Sequence, residues 1–102
     1  DSIAVSLFEE DSEYAKIIAA QAADELLNIK GIEASFIILR CGGSITISAR
    51  STGDINVQLI LEKLGGGGHL AMAGAQLDTK DLTEAKKLLL GTIDEYMEEK
   101  QS

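Results

Sequence analysis

The chain is 102 residues long and carries a formal charge of −8, with 45% hydrophobic and 25% charged residues. That is the make-up of one ordinary globular domain with a single core, not of a disordered segment. An acidic balance works against a long polyanion, because most nucleic-acid affinity comes from neutralised phosphates, and no apolar run approaches the roughly 18 residues of a membrane span.

Residues 3–8 are apolar on both faces (Ile3, Val5 and Leu7; Ala4 and Phe8), which predicts a buried strand. Asp11 and Ser12 offer an N-cap, and from Tyr14 the pattern turns helical with Ile18, Ala22, Leu26 and Ile29 on one stripe. Ala15, Ala19, Ala20 and Ala23 would let that helix sit close to a sheet, and Gly31 is a natural residue just beyond its end. Residues 32–41 form a second strand, apolar on both faces and therefore expected to be central. Gly42-Gly43 signals a hairpin turn. In the third strand, 44–51, Ile45, Ile47 and Ala49 alternate with Ser44, Thr46, Ser48 and Arg50, so one face is covered and the other polar.

Asp54 is the expected cap of the next helix, whose core stripe is Val57, Ile60, Leu61 and Leu64. The helix stops at Gly65. A turn or short helix and a fourth strand near 75–77 are expected after the glycine run. Asp81 and Glu84 form a capping box for a last helix with the stripe Leu82, Ala85, Leu88, Leu89, Ile93 and Tyr96, fraying at Glu98-Glu99-Lys100. The order β-α-β-β-α-β-α predicts an α/β (α+β) domain, a mixed sheet packed with helices. The helix stripes read as core.

The lone cysteine, Cys41, cannot staple the chain, so a reducing compartment is the default. With no neighbouring histidine or basic cluster it reads as a structural thiol. No signal peptide is visible. The chain opens on Asp1 and enters a strand at once, from which we expect a fragment of a larger multidomain protein.

Four consecutive glycines, Gly65 to Gly68, followed by the only histidine, His69, need a physical reason. One is a helix cap and a flexible link. The other is a nest of amides around an anion, reinforced if a helical turn starts near His69. The run is neither GxGxxG nor a P-loop. His69 could satisfy a loop carbonyl, or donate to a phosphate oxygen or move a proton. A metal site would need further ligands that the sequence does not cluster near it. Arg50 beside Ser48, with Ser51 and Gly53 leading into a helix, suits a planar phosphate contact as well as a plain surface position. Asn56 could turn its amide to a ligand or to solvent.

The segments Ile47-Ser48-Ala49-Arg50-Ser51, Gly53-Asp54-Ile55-Asn56-Val57 and Gly65-Gly66-Gly67-Gly68-His69 together resemble the C-terminal DHH-associated domain of the DHH phosphoesterase superfamily, over essentially the whole chain, residues 1–102. Within it they are most similar to the GdpP (YybT) type of bacterial cyclic dinucleotide phosphodiesterase. The resemblance implies a membrane-anchored parent with this domain on the cytoplasmic side. That parent would hydrolyse cyclic di-AMP to pApA with Mn2+ held by a DHH domain in cis. This chain would be the substrate-binding half, inactive alone and holding no cofactor or metal itself. Ser48, Arg50, Ser51, Asn56, Gly66, Gly67, Gly68 and His69 would bind the phosphate or nucleotide, Ser48 and Ser51 as supports of the loop. The resemblance favours a cyclic dinucleotide or short oligonucleotide over a long nucleic acid and admits a homodimeric parent. Met72 departs from the small residue usual at its place. The alternatives are a DHH-family oligoribonuclease or single-strand exonuclease, and a non-catalytic nucleotide-sensing module. A related domain occurs in alanyl-tRNA synthetases.

Overall fold

The computed structural model describes residues 2–9, 14–41 and 43–101. The elements are β1 (Ile3–Phe8), α1 (Ala15–Leu26), β2 (Ala34–Cys41), β3 (Ser44–Ser51), α2 (Val57–Glu62), β4 (Gly67–His69), β5 (Met72–Leu77) and α3 (Leu82–Gln101). The mixed sheet and its helices are as expected, with one strand more. The five strands lie in the order β1-β2-β3-β5-β4. Only β1 and β2 run parallel, joined by the α1 crossover; the other three pairings are antiparallel.

Period-two alternation divides the sheet into two faces. Ala34, Phe36, Ile38, Ile45, Ile47, Ala49, Ala73, Ala75 and Leu77 face α2 and α3, closing the main core with Val57, Ile60, Leu61, Leu82, Ala85, Leu89 and Ile93. The other face is split. Over β1 and β2 it is covered by α1, where Ala15, Ala19 and Ala23 meet Ile37 and Leu39. Past β2, α1 reaches the near side of β3, where Asp24 meets Arg50; over β5 and β4 no described helix covers the face, and β3 presents its polar residues beside it. Core burial on one side and an open half-face on the other are what position the candidate site.

Three expectations about the helices are corrected. The buried side of α1 is its alanine stripe, while Ile18 is 40% exposed and Ile29 54%. Only a methyl-sized side chain lets the helix backbone approach β2 this closely, so the larger residues are turned outward. Leu88 is likewise exposed, and Thr92 takes a buried place on α3 instead. Finally, α3 does not fray at its acidic end but stays helical to Gln101. Lys63 on α2 bridges to Glu95 at 3.3 Å and Glu99 at 2.9 Å, and the Glu99 hydrogen bond chiefly lifts the lysine above its usual pKa. Lys100 donates to the Asp54 carbonyl. Asp81 caps α3 as expected, its Oδ1 accepting from the Thr83 amide at 2.9 Å. The cap proposed at Asp11 and Ser12 and the Gly42 half of the hairpin turn lie outside the described residues, as does the side chain of Cys41.

Candidate functional site

The glycine run resolves into a helix stop and an edge strand. Gly65 takes a left-handed φ of 86°, its N–H bonds the Glu62 carbonyl and the Gly66 N–H bonds the Leu61 carbonyl. That double bond is a Schellman ending. Gly67, Gly68 and His69 then pair antiparallel with β5. The Gly65 and Gly66 N–H groups are spent on helix carbonyls and Gly67–His69 lie in the β-ladder, so the run does not form the expected nest of successive amides, and no helical turn starts at His69. A tight turn at Leu70 and Ala71 connects the strands instead. Its carbonyls are fixed by N–H groups across the gap, Leu70 by Val57 at 3.0 Å and Ala71 by Ser51 at 2.9 Å.

Register then decides which side chains meet. His69 lies opposite Met72, Met72 opposite Arg50, and Arg50 opposite Ser35. The neighbouring row is Gly67, Gly74, Ser48 and Ile37. Both rows belong to the face that α1 leaves open beyond the near side of β3. Strands about 4.8 Å apart put the Cα atoms of His69 and Arg50 roughly 10 Å from each other, with Met72 between them. The floor of the second row, at Gly67 and Gly74, carries no side chain, so a ligand can reach the backbone there. The result is a shallow, open sheet face with a cation on one side, an exposed imidazole on the other and a hydroxyl beside the cation.

Arg50 is held from two sides. Its side chain is 13% exposed, its Nε lies 3.1 Å from Asp24 Oδ1 of α1, and its NH1 donates to the Ala49 carbonyl at 2.9 Å. The Nε–H does not line up on the carboxylate, so the Asp24 contact is an ion pair and not a hydrogen bond. Asp24 is mostly in solvent, and such a pair adds little stability.

The expected site residues therefore separate. Ser48, Arg50, Gly67 and His69 share the open face. Gly66 and Gly68 do not turn toward it; both are packed against β5, where any Cβ would strike backbone. Ser51 lies on the core face, 7% exposed. Its hydroxyl donates to the Ile55 carbonyl at 2.6 Å and accepts from the Gly53 N–H at 2.8 Å. It is a staple of the β3–α2 loop. Ser51→Ala should lower stability by about 1–3 kcal/mol, since it strands the buried Ile55 carbonyl and frees the Gly53 N–H; thermal denaturation checks this, and an unchanged Tm would remove the staple. Asn56, not Asp54, caps α2, its Oδ1 accepting from the Leu59 N–H at 3.2 Å while its own N–H donates to the Tyr96 hydroxyl at 2.8 Å. Its carbonyl oxygen is therefore committed to the helix. Two members of the face escaped sequence reasoning. Gly74 precedes the strand expected near 75–77, whereas β5 already begins at Met72. Asp24 meets Arg50 only through the tertiary fold.

Other concavities lie elsewhere. One of about 320 Å³ runs between β1 and α1 beside Phe8, Leu26 and Ile37, and one of about 430 Å³ lies between α2 and α3 beside Leu59 and Tyr96. Neither contains Arg50 or His69. Among the described residues no group of three or more His, Cys, Asp or Glu could hold a metal ion, and no helix is long and apolar enough to cross a membrane.

Comparison with known proteins agrees with the motifs. The cyclic-di-AMP phosphodiesterase PdeA of Listeria monocytogenes is 53% identical over 97 residues, covering 94% of this chain and 15% of that protein. The cyclic-di-AMP phosphodiesterase GdpP of Bacillus subtilis is 48% identical over 101 residues, covering 96% of this chain and again 15% of the relative. The chain thus spans about 15% of the length of these relatives. Among solved structures, an exopolyphosphatase-related protein from Bacteroides fragilis superposes with a TM-score of 0.73 at 24% identity, over 89% of this chain and 29% of that one, a likeness of fold. The family model described as the DHHA1 domain matches residues 1–99, and the chain belongs to that family.

Proposed function

We propose that this chain is the substrate-binding domain of a cyclic dinucleotide phosphodiesterase that hydrolyses cyclic di-AMP to pApA. One observation carries the reading: the fold brings Arg50, Ser48 and His69, distant in sequence, onto one open face floored by Gly67 and Gly74. The names and identities of the relatives support the substrate class.

Hydrolysis of a phosphodiester needs an activated water and neutralisation of the charge that builds on the non-bridging oxygens. Manganese ions in a DHH domain of the same protein would supply the activated water. The described residues form no group that fits that metal, and their work is different. Arg50 would take a phosphate oxygen through its terminal N–H groups. Ser48 would orient the same phosphate from two residues away on the strand, and exposed His69 would reach the second phosphate or a leaving oxygen. A face this open excludes no water by itself, so the DHH domain would close over it and complete the site. In this reading the chain is one domain of a larger protein, and any membrane anchor of that protein lies outside it.

Titration of the chain with cyclic di-AMP, followed by NMR, tests the site. Shifts should concentrate at Ser48, Arg50, Gly67 and His69; shifts confined to other regions would contradict it. A parallel titration with a short oligoribonucleotide tests substrate class, and tighter binding there would move the assignment to an oligonucleotide-degrading parent. The purified chain should release no pApA from cyclic di-AMP even with added manganese. Metal-dependent hydrolysis by it would overturn the division of labour.

A further inference from the structure

Among the described residues Arg50 is the one Lys or Arg in the two rows of the open face, and a guanidinium on a flexible stem is useful for catalysis only if its fork is aimed. The fold contains a device that aims it. Ser35 is the cross-strand neighbour of Arg50 and fully buried beneath α1. Its hydroxyl donates to the Ala23 carbonyl at 2.6 Å, which fixes the height of α1 above this row of the sheet. The next residue on the helix is Asp24, whose Oδ1 stands 3.1 Å from Arg50 Nε. On the other side NH1 is tied to the Ala49 carbonyl at 2.9 Å. The guanidinium thus has the Asp24 carboxylate beside Nε as an ion-pair partner and NH1 bonded to the backbone, and its remaining terminal N–H groups are left for an anion.

We propose that Asp24, set in place by the Ser35–Ala23 hydrogen bond, is a positioning residue that holds the Arg50 fork in its phosphate-gripping orientation. The inference rests on the reading of Arg50 as a phosphate ligand. Asp24 acts through the close contact of its carboxylate with the guanidinium. Two-thirds of its side chain is exposed, so solvent screens its repulsion of a more distant phosphate more than its 3.1 Å contact with Arg50. Orientation has large kinetic leverage, since a reacting group displaced by about 1 Å can lose up to 10²-fold in rate.

The test is steady-state kinetics of cyclic-di-AMP hydrolysis by the full-length protein that carries this chain, with Tm measured for each variant. Asp24→Asn keeps the shape and removes the charge. It should lower kcat by roughly ten-fold, with KM and Tm little changed, because the misaimed fork fails chiefly in the transition state. Asp24→Glu, which restores a carboxylate, should recover most of the loss. Wild-type kinetics for Asp24→Asn, or tighter substrate binding, would overturn the inference and make Asp24 a bystander or a competing counter-ion. A loss that tracks a fall in Tm and is not rescued by glutamate would overturn it as well, leaving a structural contact. Arg50→Ala measured alongside separates the two levels: if that variant keeps normal kinetics, the phosphate-ligand reading fails, whereas if it is impaired and Asp24→Asn is not, only the positioning role fails.

Discussion

On the proposed function, replacing Arg50 by alanine is expected to lower cyclic-di-AMP turnover by the full-length protein that carries this chain roughly 10²-fold or more, the usual scale for losing a preorganised partner of transition-state charge. The loss should fall mainly on kcat if the guanidinium meets the phosphate most closely as charge develops, and on KM if it binds ground and transition states alike. Stability should change far less. The Asp24 carboxylate left behind is largely in water, so no buried charge is orphaned. Arg50→Lys is the sharper variant. It retains the charge but not the planar fork, and the grip at both Nε and NH1 is lost together. Lysine should therefore recover only a small part of the activity. Near-normal kinetics in Arg50→Ala would sink the assignment of the open face, whatever the relatives do.

The parts of this site that were legible in the sequence are those written in short-range periodicity. Alternation over 44–51 placed Ser48 and Arg50 on the uncovered face correctly, because each inward residue of β3 is buried by a core that the apolar partners predict. Asp81 was recognisable as a cap because its acceptor serves N–H groups only two and three residues away. What was not legible depends on contacts without a local signature. β4 has no alternation and no strand-forming side chain, so propensity is silent; close backbone approach to β5 makes it a strand. Asp54 and Asn56 are equally good cap residues by type, and the Ser51 staple, which delays the helix to Val57, decides between them. The hydrophobic stripe of α1 misled because tight helix–sheet contact selects small residues over greasy ones. Asp24 sits on an exposed helical turn, and only the crossover of α1 over the sheet brings it to Arg50. The family resemblance supplied the expected members of the site; the places the fold gives them, open face, staple, cap and packed glycine, came only with the three-dimensional register.

The glycine run yields the second large effect, and its last three positions should not behave alike. A Cβ on Gly66 would overlap the Gly74 carbonyl and stand 2.6 Å from Ala75 Cβ and 2.8 Å from Ala75 Cα. A Cβ on Gly68 would overlap the Met72 carbonyl and stand 2.6 Å from Ala73 Cα, at a φ of 146° that side chains rarely adopt. Backbone cannot rotate aside as a side chain can, so Gly66→Ala and Gly68→Ala should each cost about 3 kcal/mol or more, a fall in Tm of at least about 10 °C for a domain of this size. Gly67 differs. An added methyl meets nothing within 4 Å and its φ is not left-handed, so Gly67→Ala should leave Tm within about 2 °C of the parent value. That methyl would stand on the open face beside Gly74 and Ser48, where the substrate has to come down to the backbone. Turnover should fall roughly ten-fold, as a 1 Å displacement of a bound phosphate allows. Calorimetry and kinetics on the three variants separate fold from function within four residues. An unchanged Tm for Gly66→Ala would refute the packing of β4 on β5. Wild-type turnover for a well-folded Gly67→Ala would show that the substrate never approaches this floor, and the run would then be a purely structural edge strand.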